Sequence, residues 1–130
     1  TTLSWGGALS TFGTENGPDG LPFKSQIEYS IPGFSADDLN RQKWMISPTH
    51  LKIDVDGIEH HILAGAKQLL SNAKSILIEV NESYGEQKNL CIELLEQAGF
   101  SLYSKHMSPY TESDKNASIF NQIWRRDHEN

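Results

Sequence analysis

A chain of 130 residues with 37% hydrophobic and 22% charged positions is long enough to bury one core and too apolar to stay disordered. Its net charge of −6 and pI near 5.2 supply no basic surface for a phosphate backbone or an anionic lipid, which argues against nucleic-acid and membrane partners. No apolar run approaches the roughly 20 residues of a membrane span, no signal-peptide pattern opens the chain, and the single Cys91 forms no internal disulfide. The expectation is a soluble, cytoplasmic protein in a reducing compartment, where the Asn116-Ala117-Ser118 sequon is a chance match.

Residues 1–25 read as loop. Gly6, Gly7, Gly13, Gly17 and Gly20 with Pro18 and Pro22 break every period, and Gly17-Pro18-Asp19-Gly20 predicts a tight turn. Residues 26–31 alternate polar and apolar and predict a strand, ended by Pro32-Gly33. Ser35 with Asp38 three residues on predicts a capped helix running to about Lys43, with Phe34 placed as a hydrophobic staple. Beyond Pro48, Leu51, Ile53 and Val55 form an apolar, β-branched run into Asp54-Val55-Asp56-Gly57. Ile58, Ile62, Leu63, Ala66, Leu69 and Leu70 then recur at helical spacing, predicting one helix over 57–71.

The nearly continuous run over 75–80 reads as a strand buried on both faces. Leu90, Cys91, Leu94, Leu95 and Ala98 mark a second amphipathic helix stopped by Gly99. Two closing strands follow, at about 101–107 and 118–126. This order predicts a single α/β domain over 1–130, with parallel strands flanked by helices and a closing antiparallel C-terminal hairpin.

The stretch Pro48-Thr-His-Leu-Lys-Ile-Asp-Val-Asp-Gly-Ile-Glu-His-His-Ile-Leu-Ala-Gly-Ala66 resembles the signature of FkbM-family methyltransferases. In that signature a strand ending Lys-Ile-Asp-Val-(Glu/Asp)-Gly leads into a helix with Glu and then Leu-x-Gly-Ala. Ile76-Leu-Ile-Glu-Val80, Gly99-Phe100 and Asn121-Gln-Ile-Trp124 are similar to the family's next strand, helix exit and closing strand, so the likeness extends from about Ser35 to Trp124. It implies the second half of a Rossmann-like class I methyltransferase sheet, which carries an antiparallel strand near its end. It also implies S-adenosylmethionine as cofactor, and O-methylation of a small-molecule or carbohydrate acceptor such as a sugar or secondary-metabolite hydroxyl. One departure matters: the chain contains no Gly-x-Gly-x-x-Gly and no acidic residue after a second strand to hold a ribose. The expectation is therefore the C-terminal portion of a catalytic domain whose cofactor-binding N-terminal portion is absent, with no cofactor-binding residue assigned.

Asp54 leads the catalytic candidates, because Lys52 and Asp54 share a strand face expected to be apolar and a buried lone carboxylate is costly. At the carboxyl end of a strand, where open α/β sheets bind ligands, that cost has a use; an ion pair with Lys52 is the competing reading. Asp56 and Glu59 form an Asp-x-x-Glu capping pattern, with Asp56 expected as the helix N-cap and Glu59 divided between capping and the active-site rim. Asp54, Glu79 and Asn81 at neighbouring strand ends are an oxygen set of the kind Mg²⁺ or Mn²⁺ accepts, set against hydrogen bonding to loop backbone. His60 and His61 point about 100° apart on a helix and exclude a joint zinc site; His60, one turn from Asp56, is the candidate base, against a solvated face for both. Trp5, Trp44 and Trp124 suit sugar stacking or core packing, and Cys91 reads as core.

Two other functions compete. Asp54-Val55-Asp56-Gly57 after an apolar strand is similar to the Asp-x-Asp-Gly motif of haloacid-dehalogenase-like phosphatases, with Asp54 as nucleophile, although Ile58 opens a helix where those enzymes insert a loop and flap. The last is a non-catalytic remnant or partner-binding half domain whose sheet another chain completes.

Overall fold

A computed structural model describes residues 12–17, 19–22, 24, 27–107 and 118–126. The elements in chain order are α1 (Ala36–Arg41), β1 (His50–Ile53), α2 (Glu59–Ala64), α3 (Lys67–Leu70), β2 (Ser75–Asn81), α4 (Gly85–Gln97), β3 (Phe100–Met107) and β4 (Ile119–Arg126). The four strands form one sheet in the order β1-β2-β4-β3.

That sheet is mixed where a parallel one was expected. β1 and β2 are parallel, with Leu51 opposite Ile76 and Ile53 opposite Ile78. β4 runs antiparallel to both β2 and β3, so β1, β2 and β3 share one direction and β4 lies reversed between the last two. The closing hairpin is present as expected. Its return strand lies between β2 and β3, with Trp124 opposite both Ile76 and Leu102 and buried in the core with Ile76.

Burial along β2 alternates strictly. Ile76, Ile78 and Val80 are fully buried and meet Ile53, Leu63, Ala66, Leu70, Cys91, Leu95, Phe100 and Trp124 in one cluster. Leu77 and Glu79 on the opposite face are half-buried, as is Ile123 opposite Leu77. The expectation of a strand buried on both faces is thus corrected. The described helices give their buried side chains to one side of the sheet, as in a half-covered antiparallel sheet.

Ser35 is the N-cap of α1: its Oγ accepts from the Asp38 amide at 3.1 Å and donates to the Asp38 carboxylate at 2.7 Å. Phe34, however, packs edge-on against Trp44, with ring centroids 5.4 Å apart, beyond the helix end. Residues 27–35 carry no regular structure, so the strand expected at 26–31 does not form over its described part; Gln26 itself lies outside the described residues. The alternation is present in Ile27, Tyr29 and Ile31, but all three are exposed: a strand needs a partner edge as well as a pattern. The Gly17–Gly20 turn does form, through the Gly20 amide to the Gly17 carbonyl at 2.9 Å. Trp5 and most of the sequon lie outside the described residues.

The single helix expected over 57–71 is two short ones. Gly65 ends α2, and α3 restarts from Ala66. Ala66 offers no capping side chain, yet α3 is capped from 31 residues upstream: Asp37 Oδ2 and Oδ1 accept from the Gln68 and Leu69 amides at 3.0 and 2.9 Å. The Asp37 amide in turn donates to the Gly65 carbonyl at 3.0 Å. A break that frees amides is stabilised by a carboxylate aimed at them. At the other end of α3, Arg126 of β4 donates to the Leu70 and Ala73 carbonyls at 2.9 and 3.2 Å. α4 ends as expected, at Gly99 with φ 83°, where any side chain would also press on the Arg126 guanidinium.

Asp37→Ala removes the cap that α3 borrows from α1. Urea unfolding should show a loss of about 0.5–2 kcal/mol, the usual range for a helix N-cap.

Candidate functional site

Between Ile53 and Glu59 the chain turns through two consecutive residues with positive φ, Asp56 at 55° and Gly57 at 107°. Aspartate is among the few non-glycine residues that adopt this region at modest cost. The turn delays the helix, so the N-cap is Ile58, with no side-chain capping bond, and the expected cap at Asp56 is corrected. Asp56 lies two residues too early to reach the first-turn amides.

Glu59 organises the turn instead. Only 1% exposed, its carboxylate reaches back to accept from the Val55 amide at 3.1 Å and the Gly57 amide at 3.1 and 3.4 Å. Gln87 of α4, equally buried, donates its Nε2 to Glu59 Oε2, and its Oε1 accepts from the Asn81 amide at 2.9 Å. One relay therefore ties the end of β1, the start of α2, the start of α4 and the end of β2. A buried carboxylate persists when hydrogen bonds replace its lost water, and Glu59 has them.

Around this relay lies a notch at the carboxyl ends of β1 and β2, lined by Asp56, Gly57, Glu59, Glu79, Asn81, Gln87 and Ile119. Its volume, about 30 Å³, suits a water or a bare ion and excludes a nucleoside. Glu79 and Asn81 are brought together there, whereas Asp54 is not among the lining residues. Among the described residues no group of three or more His, Cys, Asp or Glu side chains is placed to hold a metal ion.

Asp54 sits just past β1, its side chain 41% exposed and paired with Lys52 at 2.8 Å. The buried-carboxylate premise is corrected: the face it shares with Lys52 is the one the helices leave open. The carboxylate stays accessible at the strand end. His60 is 6% exposed, its ring tilted 40° against His61 at 4.0 Å between centroids and edge-on to Tyr84 at 6.2 Å. Its Nδ1 is buried with no hydrogen-bond partner. Burial, reinforced by His61 and opposed by Glu86, holds its pKa below the ordinary value of 6.5, so the ring is neutral near pH 7. His61 is exposed as expected, but His60 is not on a solvated face.

Cys91 is fully buried, and burial together with the nearby Glu59 charge pushes its thiol up to about 12, which removes it as a nucleophile. Trp124 is core, donating its Nε1 to Gln122 at 2.9 Å, and Trp44 is exposed. Gln87 is the residue that sequence reasoning missed. It stands four residues before Cys91 and eight before Leu95 on the buried stripe of α4, so an amide at a core position of the helical period was the available signal.

No family model matches this chain, and neither a curated protein nor a solved structure matches it.

The two carboxylates should separate cleanly in unfolding experiments. Glu59→Gln sets a second amide donor against the Gln87 donor and the loop amides, and should cost about 1–3 kcal/mol. Asp54→Asn breaks an exposed pair and should cost less than about 1 kcal/mol.

Asp56 gives a pH test. Burial, then the neighbouring Asp54 charge, raises its pKa above 3.8. Its stabilising contribution is therefore complete below pH 3.8 and lost as pH rises through the raised folded value. Asp56→Asn, which tolerates positive φ, should melt higher than the parent at pH 7, the gap closing below pH 3.8.

Proposed function

We propose that this chain is the C-terminal part of an S-adenosylmethionine-dependent O-methyltransferase similar to the FkbM family, contributing the acceptor side of the site. The observation that carries the reading is the sheet order. Three co-directional strands with one reversed strand between the last two match the antiparallel strand near the sheet end that the resemblance implies. The motif residues support it as well: Lys52 to Gly57 span the end of β1 and the following turn, and Glu59 opens α2. S-adenosylmethionine, as cofactor, would supply the methyl group. The strand-end notch is too small for its nucleoside, so no cofactor contact is assigned to the residues described, and no step is routed through a metal ion.

Within this reading each residue has a distinct task. Asp54, accessible at the carboxyl end of β1, accepts a hydrogen bond from the acceptor hydroxyl and takes its proton as the oxygen attacks. Glu59 is committed to two backbone amides and Gln87, so it positions the Asp54–Gly57 turn rather than acting as a base. His60, its ring buried against His61 and Tyr84, takes no step in this reading. Glu79 and Asn81 line the notch beside that turn.

A second reading is favoured by one observation: among the described strands β1 pairs only with β2, and the sheet's other face is half-exposed. A partner-binding half domain completed by another chain would use that edge and that face.

Calorimetry separates these readings. For these 130 residues alone, S-adenosylmethionine affinity should be weaker than micromolar, which corresponds to about −8 kcal/mol. In a polypeptide that joins this segment to a glycine-rich nucleotide-binding half, it should bind and methylate hydroxylated acceptors. There Asp54→Asn should lower kcat/KM by about 10²–10⁴-fold, with Glu59→Gln losing stability as well. Phosphate-ester hydrolysis that depends on Asp54, with no methyl transfer, would overturn the proposal in favour of a phosphatase.

A further inference from the structure

We infer that the turn formed by residues 14–17 and 19–22 is a hinged strap that covers the Tyr84 ring and lifts as a unit to uncover it. The strap holds its own shape. The Gly17 amide donates to the Leu21 carbonyl at 2.8 Å and the Gly20 amide to the Gly17 carbonyl at 2.9 Å, while Asn16 forms a β-bridge with Pro22. Thr14 Oγ1 accepts from the Asn16 amide at 3.1 Å, and Asp19 Oδ1 from the Leu21 amide at 3.0 Å. Among the described residues, all of its hydrogen bonds run within it.

The strap turns its glycines to the body and its side chains to solvent. Gly17 is buried and Gly20 lies on Tyr84, whereas Glu15, Asp19, Leu21 and Pro22 are exposed. A Cβ on Gly20 would stand 2.5 Å from Tyr84 Cδ2 and Cε2, so only glycine permits this approach. Just before the strap, Phe12 is seated on Gly33, where a Cβ would come within 2.6 Å of Phe12 Cζ. Gly13 follows with φ 67° and nothing within 4 Å of its Cβ position, which makes it the hinge between that anchor and the turn. A unit bonded to itself, with no apolar side chain buried in the body, belongs to the part of a structure that opens without unfolding the core.

The covered ring stands on the strand-end rim. Tyr84 follows Asn81 and precedes Gln87, and its amide donates to the Asn81 carbonyl at 3.0 Å. Its ring meets His60 edge-on, with centroids 6.2 Å apart. The use of the ring rests on the methyltransferase reading: uncovered, it is a stacking platform for the apolar face of a cyclic, hydroxylated acceptor. The Gly20 backbone occupies that platform until the acceptor displaces it.

NMR on the 130-residue chain tests the strap. In the parent, relaxation dispersion at Gly17, Gly20 and Tyr84 should fit one exchange rate, on the μs–ms scale of lid motions. The neutral radical TEMPOL should broaden the exposed Tyr103 ring and spare that of Tyr84. Gly20→Asn tolerates positive φ but sets a side chain against the ring. It should raise the TEMPOL broadening of Tyr84 severalfold while the Gly17 amide stays slow to exchange. Gly13→Asn, with open space for its side chain, should leave Tyr84 covered. In a polypeptide joined to a glycine-rich nucleotide-binding half, Gly20→Asn should lower the acceptor KM severalfold, more than it changes kcat, and Tyr84→Ala should raise it. Absent or unequal exchange rates, a parent Tyr84 ring as accessible as Tyr103, or lost protection of the Ile76 and Val80 amides in Gly20→Asn would overturn the strap. A joined enzyme that methylates, with a KM indifferent to both variants, would overturn the platform. Absence of methyl transfer would sink the methyltransferase reading alone, the NMR results still deciding the strap.

Discussion

The Glu59 carboxylate is the constraint on which the strand-end region depends. It is buried, it satisfies two amides of the turn that precedes it, and Gln87 carries its influence to the end of β2. Without that anion the Val55 and Gly57 amides would be left unsatisfied beside a turn with two consecutive positive-φ residues. The turn in turn sets where α2 begins, and α2 sets where Leu63 enters the core. The position of Asp54 is thus a consequence of hydrogen bonding by a residue five places later. Gln87 is as necessary as the charge: its amide can donate to Glu59 and accept from Asn81 at once, a double task that a second carboxylate cannot perform.

Elsewhere the same logic recurs at longer range. Asp37 caps α3 from α1, and Arg126 closes the other end of α3 from β4. Two charged residues from distant parts of the chain therefore hold the two ends of α3. The break between α2 and α3 would be a defect in an isolated helix. Here it bends the chain so that Leu63, Ala66 and Leu70 all reach the face presented by Ile53, Ile76 and Ile78. Burial of that face, together with exposure of the opposite one, decides the character of the candidate site: an open strand-end notch on a half-covered sheet, with His60 and Cys91 buried and Asp54 accessible at the strand end.

Much of the fold was legible because short-range chemistry wrote it. The existence of β2 as a strand, the apolar stripe of α4, the Gly99 stop and the Ser35 cap each need only near neighbours and a period. The candidate site was legible in part. The strand-end placement of Asp54, Glu79 and Asn81 follows from strand boundaries, and Glu79 with Asn81 does come to one notch. The role of Asp56 was misread since a capping pattern does not reveal that two positive-φ residues will postpone the helix. Asp54 was expected to be buried because a continuous apolar run looks alike whether one or both sheet faces are covered.

The amino-acid sequence by itself determined the α/β class, the closing hairpin, the helix exits and the residues available for chemistry at the ends of β1 and β2. Only the tertiary structure decided that β4 lies reversed between β2 and β3, that the helices cover one face, and that Asp37 and not a local residue caps α3. It also decided that Glu59 faces inward to Gln87 and that His60 is buried. The physical reason is one of range. Periods and caps are set by backbone geometry within a few residues, whereas strand order, face coverage and the partner of a buried charge depend on which distant groups meet in the core, where an unpaired polar atom is too costly to leave.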